Sequence, residues 1–411
     1  MLVAVPALII CYALAAGAMR DGLSRALSTT SMIQSNVEPA NQAVRLTGKD
    51  PEAHYTRALA LVNLERLDEA VFELREATRL RPSYYYEWLD LGVTLDRMGD
   101  QQGAEEALRK SIMLAPAFAQ PHWQLGNFLY RTGHYAEAFE ELRLGAKGNP
   151  NLTDGMARLA WVAASDDVGV FVSLVQPENK RAHLAVALFL STQGKGAAAA
   201  EQIREAGGPA SDEERNLTRR TISELLSIRE FSAALEIWGL THDSGAQIHE
   251  GVVDGDFLSP ILRNDPGFGW ELPPIPTVAS AIDTSGPTPG KRSLRVEFSG
   301  ESPAAARLVN QLLLVPAAGR YTLHFMVKTE KVVTGGPPVM TILSTTTPEK
   351  MLGQSAPLAV GTNDWTPYQV DFWADADTSA VYMSLQRQQC SQSPCPIFGK
   401  LWLGRVFLTK G

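Results

Sequence analysis

PSYYYEWLDLGVTLDRMGDQQGAEEALRKSIMLAP, residues 82–116, decides how this chain folds. Its terminal prolines stand 34 residues apart, and Pro150 follows at the same interval. The residues between them keep step. Trp88, Leu91, Gly92, Leu95, Gly99, Ala104, Leu108 and Pro116 return one period later as His122, Leu125, Gly126, Leu129, Gly133, Ala138, Leu142 and Pro150. A fixed period of this length marks stacked helical hairpins. One such unit cannot bury its own apolar face, so neighbours must stack, and the stack offers a surface for partners.

This pattern resembles the tetratricopeptide repeat. The resemblance divides the array into full repeats at 51–84, 85–118 and 119–152. The first departs from the family pattern: His54, Arg57 and Ala58 stand where Trp, Leu and Gly are usual, while Ala70, Leu74, Ala77 and Pro82 match. Ala43 and Leu46 read as the second helix of an incomplete repeat ending at Gly48, with helix signals resuming near Pro39. After Pro150 the period decays, but apolar steps of three and four persist to about residue 242. An α-solenoid over 36–242 is therefore expected. In the family the inner groove is lined by certain first-helix positions, which here are Tyr55, Asn63, Tyr86, Arg97, Trp123, Asn127, Tyr130 and Arg131. Aromatics beside arginines suit peptide segments or sugar rings. The competing reading has Tyr55 and Tyr130 covering the seams between repeats.

Upstream, residues 1–19 (MLVAVPALIICYALAAGAM) carry no charged side chain. Such a run reads as a transmembrane anchor, or as a signal segment cleaved after Ala16-Gly17-Ala18. Neither reading has its usual basic leader. A lipoprotein is not expected, because bulky Ile10 precedes Cys11. Arg20 and Arg25 would hold the following side in the cytoplasm by the positive-inside rule. Cys390 and Cys395 point the other way. They lie five apart in QQCSQSPCPIFG and suggest a disulfide-closed loop, which needs an oxidising compartment. Free thiols are the alternative, and a zinc site lacks a second ligand pair. Export is favoured, with the bulk of the chain periplasmic at a bacterial inner membrane.

The 411 residues carry a net charge of −8, and no basic stripe suits nucleic acid. Near Gly245 the rhythm changes to alternation of two. Leu294, Val296 and Phe298 alternate; so do Tyr321, Leu323, Phe325 and Val327, then Tyr368, Val370 and Phe372, then Val381, Met383 and Leu385. Many short strands over 247–411 imply a β-sandwich. In order, VVDGDF (252–257), GFGW (267–270), SLRVEF (293–298), QLLLVPAAGRYTLHF (311–325), WTPYQVDF (365–372) and GKLWLGRVFL (399–408) resemble the jelly-roll carbohydrate-binding modules of the galactose-binding-like group. The whole is a multidomain α plus β chain: a hydrophobic N-terminal helix, an α-solenoid and a jelly roll. Chains of this make-up resemble accessory proteins of bacterial exopolysaccharide or O-antigen gene clusters.

That resemblance implies a glycan face. By alternation His324, Asp371, Trp373, Tyr382 and Gln386 point outward. Trp270, Trp365 and Trp402 read as core or sheet-edge packing. No cofactor is expected. A structural calcium would have Asp254 and Asp256, two carboxylates against the roughly six to eight oxygens it takes, and Gly404-Arg405 stand where relatives often carry Asp-Asp. The seven histidines form no metal pair, and there is no nucleophile elbow, P-loop or dinucleotide fingerprint. Asp371, Asp375 and Asp377 read more simply as a solvated strand end than as a glycosidase pair. The expected role is a non-catalytic scaffold in surface polysaccharide assembly or export, the repeats holding a protein and the jelly roll a glycan. The alternatives are a purely protein-binding scaffold and a polysaccharide-modifying enzyme.

Overall fold

The computed structural model describes residues 4–34, 36–242, 248–249, 251–262, 265–301, 306–347, 350–390 and 394–411, with side chains from residue 11 in the first segment and none for 248–249. Residues 1–3 of the apolar run, and the change of rhythm near Gly245 with its boundary at 247, lie outside the described residues. The chain divides into two compact units, Met1–Gln176 and Pro177–Gly411.

In the first unit α1 (Ala4–Gln34) and α2 (Val37–Leu46) form a hairpin. Then come α3 (Pro51–Asn63) with α4 (Leu67–Leu80), α5 (Tyr85–Met98) with α6 (Gln101–Leu114), and α7 (Ala119–Arg131) with α8 (Tyr135–Gly148). The shorter α9 (Thr153–Ala164) and α10 (Val168–Val175) follow. Local chemistry sets these bounds. Asp50 caps α3 by accepting from the Glu52 amide, with Pro51 in the first turn, and Asp100 caps α6 through the Gly103 amide. Gly92 and Gly126 let paired helices touch. A Cβ on Gly92 would sit 2.7 Å from Leu108 Cγ, and one on Gly126 2.7 Å from Leu142 Cγ. Around these contacts Leu74, Leu89, Leu95, Leu108, Leu125, Phe128 and Leu129 build one continuous apolar cluster across the repeats.

α2 begins at Val37, near Pro39 where helix signals resume, but α1 departs from expectation in two ways. α1 already runs to Gln34, and its second half supplies the partner of α2. The buried face of that half is Ser24, Ser28 and Ser31, and the Ser24 hydroxyl donates to the Ala43 carbonyl at 3.3 Å. Serines at helical spacing allow close packing but give no apolar signal. In addition, α1 does not stop at residue 19 as a separate anchor. Among the described residues no helix is long and apolar enough to cross a membrane.

The second unit opens with α11 (Lys180–Thr192), α12 (Gly196–Ala206), α13 (Asp212–Ser227) and α14 (Phe231–Thr241). Ser211 and Glu214 close a reciprocal capping box on α13. A small ladder joins β1 (Ile248–His249) to β2 (Val252–Val253). The remaining strands are β3 (Val278–Asp283), β4 (Ser293–Glu301), β5 (Val309–Leu314), β6 (Gly319–Thr334), β7 (Pro338–Ser344), β8 (Met351–Gln354), β9 (Gly361–Ala374), β10 (Ala380–Arg387) and β11 (Pro396–Lys410). They form two antiparallel sheets, ordered β3-β4-β11-β6-β9 and β5-β10-β7-β8. Leu323, Phe325, Val370, Phe372 and Leu401 of the first share one apolar cluster with Met340, Ile342, Val381, Met383 and Leu385 of the second. Alternation along each strand puts these residues on one face.

Candidate functional site

The groove candidates all lie on first helices: Tyr55 and Asn63 on α3, Tyr86 and Arg97 on α5, Trp123, Asn127, Tyr130 and Arg131 on α7. Repetition places Asn63, Arg97 and Arg131 at one equivalent point of successive hairpins, and Tyr55 and Trp123 at another. Four of the eight, Tyr55, Arg97, Tyr130 and Arg131, also join one hairpin to a neighbour. The Tyr55 hydroxyl donates to Asp90 Oδ2 at 2.7 Å. Burial pushes both the Tyr55 hydroxyl and the Asp90 carboxyl up from their ordinary values. Tyr130 donates to the Leu159 carbonyl on α9 at 3.3 Å. Arg97 pairs with Glu65 at 2.7 Å, and Arg131 pairs with Asp96, each reaching back towards the preceding repeat. Each arginine thus has a carboxylate partner on the preceding repeat, in a pair open to solvent. Asn127 donates to the Trp123 carbonyl at 2.7 Å, and Trp123 is half-buried. Asn63 and Tyr86 are exposed, with the Tyr86 ring 4.3 Å from Tyr85.

One feature of the repeats escaped the sequence. His54, Trp88 and His122 occupy one equivalent position, and each points a ring nitrogen at the carbonyl six residues earlier. The distances are 3.2 Å to Gly48, 2.9 Å to Pro82 and 2.9 Å to Pro116. Where histidine replaces tryptophan, its second nitrogen finds a glutamate on the paired helix. His54 Nδ1 lies 2.5 Å from Glu73, and His122 Nδ1 lies 2.6 Å from Glu141. The hydrogen bond to Glu73 raises the His54 pKa above 6.5 against the opposing effect of burial. Arg57 joins Glu73 from the other side at 2.7 Å. The 19-residue spacing of His and Glu, seen twice, was the available signal.

The glycan candidates divide between sheets. His324, Asp371 and Trp373 share the outward face of the five-stranded sheet, with Thr322 opposite Asp371 and Arg320 opposite Trp373. Asp371 accepts from Thr322 at 2.6 Å and from Arg320 at 3.2 Å, and the Thr322 bond chiefly holds its pKa below the usual range. The His324 ring stacks on Phe407 at 4.8 Å, with Nε2 3.0 Å from the Thr409 hydroxyl. Trp373 is 60% exposed. Tyr382 and Gln386 do not join this group. They lie on β10 in the other sheet and are half-buried, with the Arg307 guanidinium 5.6 Å from the Tyr382 ring. Alternation gave their parity, but only strand pairing could give their sheet.

Trp270 and Trp402 are buried. The Trp270 indole donates to the Asp254 carbonyl at 3.0 Å and that of Trp402 to Asp283 at 3.0 Å, while Trp365 is half-buried. The Asp254 carboxylate accepts the Leu258 and Ser259 amides at 2.7 and 2.9 Å, and Asp256 holds Lys291 at 2.7 Å. Among the described residues no group of three or more His, Cys, Asp or Glu side chains is placed to hold a metal. Asp375 and Asp377 are exposed beyond β9. Cys390 and Cys395 form a disulfide with Cα atoms 5.8 Å apart, and buried Arg387 donates to the Cys395 carbonyl at 2.9 Å.

Comparison with known proteins bears on the helical part. The tetratricopeptide repeat model matches residues 51–84 and 88–118. A TPR repeat-containing protein of Pseudomonas aeruginosa is 37% identical over 109 residues, which is 26% of this chain and 44% of the relative. The chain thus spans less than half the length of that curated relative. Among solved structures, MamA of Desulfovibrio magneticus aligns with a TM-score of 0.31 and 18% identity over 46% of this chain and 93% of its own. YrrB, described as a TPR protein with an unusual peptide-binding site, aligns at 0.28 and 14% over 50% and 91%. The sequence match and the paired helices agree: the stretches 51–84 and 88–118 are tetratricopeptide repeats.

Proposed function

We propose that this chain is a non-catalytic scaffold whose repeats hold a segment of a protein partner along α3, α5 and α7. One observation carries the reading. Three successive first helices carry Tyr55, Asn63, Tyr86, Trp123 and Asn127, none of them fully buried, while Glu65–Arg97 and Asp96–Arg131 pair at one recurring position between neighbouring repeats. A braced surface loses little side-chain freedom on binding, which favours a bound segment. The test places a photo-crosslinking amino acid at Asn63, Tyr86 or Asn127 of the full chain in its own host, with exposed Phe72 on the second helix α4 as control. Adducts from the three first-helix positions should map to one short segment of one protein. Adducts confined to Phe72, or none, would remove the reading.

A second reading has a specific observation behind it. An indole 60% exposed on a strand, beside Arg320, Thr322 and Asp371, offers a flat apolar face with planar polar neighbours, as sugar rings require. We take the two sheets around one apolar cluster as a jelly-roll sandwich with a saccharide face at Trp373, and the role as surface polysaccharide assembly or export. A glycan array separates the two readings. Binding that Trp373→Ala abolishes supports the second; an array without signal leaves a purely protein-binding scaffold.

A further inference from the structure

The first half of α1 differs from every other described helix in what surrounds it. From residue 11 through residue 23 no residue is buried, and Tyr12, Leu14 and Met19 are 78%, 68% and 77% exposed. These side chains do not make a stripe. At about 100° per residue, Tyr12 and Leu14 lie on nearly opposite sides of the helix, with Met19 close to the Tyr12 side. Between them stand only Ala and Gly, and the sequence has no charge before Arg20. At Ser24 the character changes, and one serine-lined face is buried against the hairpin partner.

That distribution selects the occupant. A second helix or a protein groove covers one stripe of a helix and leaves its other sides in water, so those sides are polar. Apolar residues on all sides call for an apolar medium on all sides. We propose that the charge-free end of α1 inserts into the hydrocarbon of a lipid bilayer, with Arg20 and Arg25 at the headgroups. A helix suits this because its backbone groups are satisfied internally. Residues 4–19 measure about 24 Å at ~1.5 Å per residue, less than the ~30 Å hydrocarbon core. Insertion of this end needs no full crossing, and among the described residues no helix is long and apolar enough to make one. Because α1 is one unbroken helix to Gln34, the lipid-embedded end and the face packed on α2 belong to one rod.

Cys11 makes the test direct. It is an exposed free thiol, whereas Cys390 and Cys395 are bonded to each other, so a thiol-reactive environment-sensitive dye labels one site on the full chain. With zwitterionic phosphatidylcholine vesicles the dye emission should shift to the blue. Nitroxide on the acyl chains should quench it, and aqueous iodide should not. The chain should float with the vesicles at high salt. Tyr12→Lys with Leu14→Lys should reduce flotation at least about tenfold, with unchanged helical circular dichroism because neither residue is buried. Unchanged emission with vesicles would overturn the proposal. So would equal shielding of Cys11 without lipid, in a discrete dimer seen by light scattering, because a second copy would then be the occupant.

Discussion

The repeats of α3–α8 and the sheets built from β3–β11 each bury an apolar cluster, but they find their partners over different distances. In the repeats Tyr55 meets Asp90, 35 residues on, and His54 meets Glu73, 19 residues on. In the sheets His324 meets Thr409 across 85 residues, and Trp402 meets Asp283 across 119. A contact that spans about one repeat or less is written into the repeating pattern. A contact made by pairing strands from opposite ends of a domain depends on which strand lies beside which. The same difference makes the array quasi-one-dimensional and the sheet domain cooperative as a whole.

The largest expected effect tests whether the two regions are separate folding units. Phe139 in α8 and Phe325 in β6 are both fully buried. Phe139→Ala and Phe325→Ala should each cost about 3–5 kcal/mol. Hydrogen exchange should show the first loss in Met1–Gln176 and the second in Pro177–Gly411. Equal loss of protection in both units from either substitution would break the comparison.

A smaller effect sharpens it within the array. The folded-state pKa of His54 is raised by Glu73, so its contribution to stability is fully present below the ordinary value of 6.5 and is lost as pH rises through the raised value. Unfolding of the helical unit should therefore become easier as pH climbs above about 6.5. His54→Trp copies Trp88, which makes the same carbonyl bond without titrating, and should flatten that slope. An unchanged slope in the variant would assign the titration elsewhere.

The smallest effect concerns the braces. Arg131 and Asp96 are partly solvent-exposed, so Arg131→Ala should change stability by at most about 1 kcal/mol. Its expected consequence is in partner binding, through freedom regained by the α5–α7 surface. A stability loss of several kcal/mol would mean that the pair is a structural strut instead.

Much of the helical unit was legible because repetition multiplies weak signals. Gly92 with Gly126, and Leu91 with Leu125, each say little alone and much in phase. The half of α1 that pairs with α2 was not legible, since its packing face is Ser24, Ser28 and Ser31 rather than aliphatic. The His54 and His122 staples lacked an obvious mark for another reason. They replace a tryptophan whose hydrogen bond is invisible in a pattern of apolar positions. In the sheets, outward parity was readable for Trp373 and Tyr382 alike, but their membership of different sheets was not.

Periodicity by itself determined the hairpins of α3–α8, their order and the alternation within the later strands, because side-chain direction follows from backbone geometry one residue at a time. Tertiary structure alone decided that Arg97 and Arg131 pair with Glu65 and Asp96, that Tyr382 stands apart from Trp373, and that residues 24–31 of α1 pack while residues 11–23 bury no side chain. Those outcomes depend on which distant segments come to lie side by side, and no local pattern of residues encodes that choice.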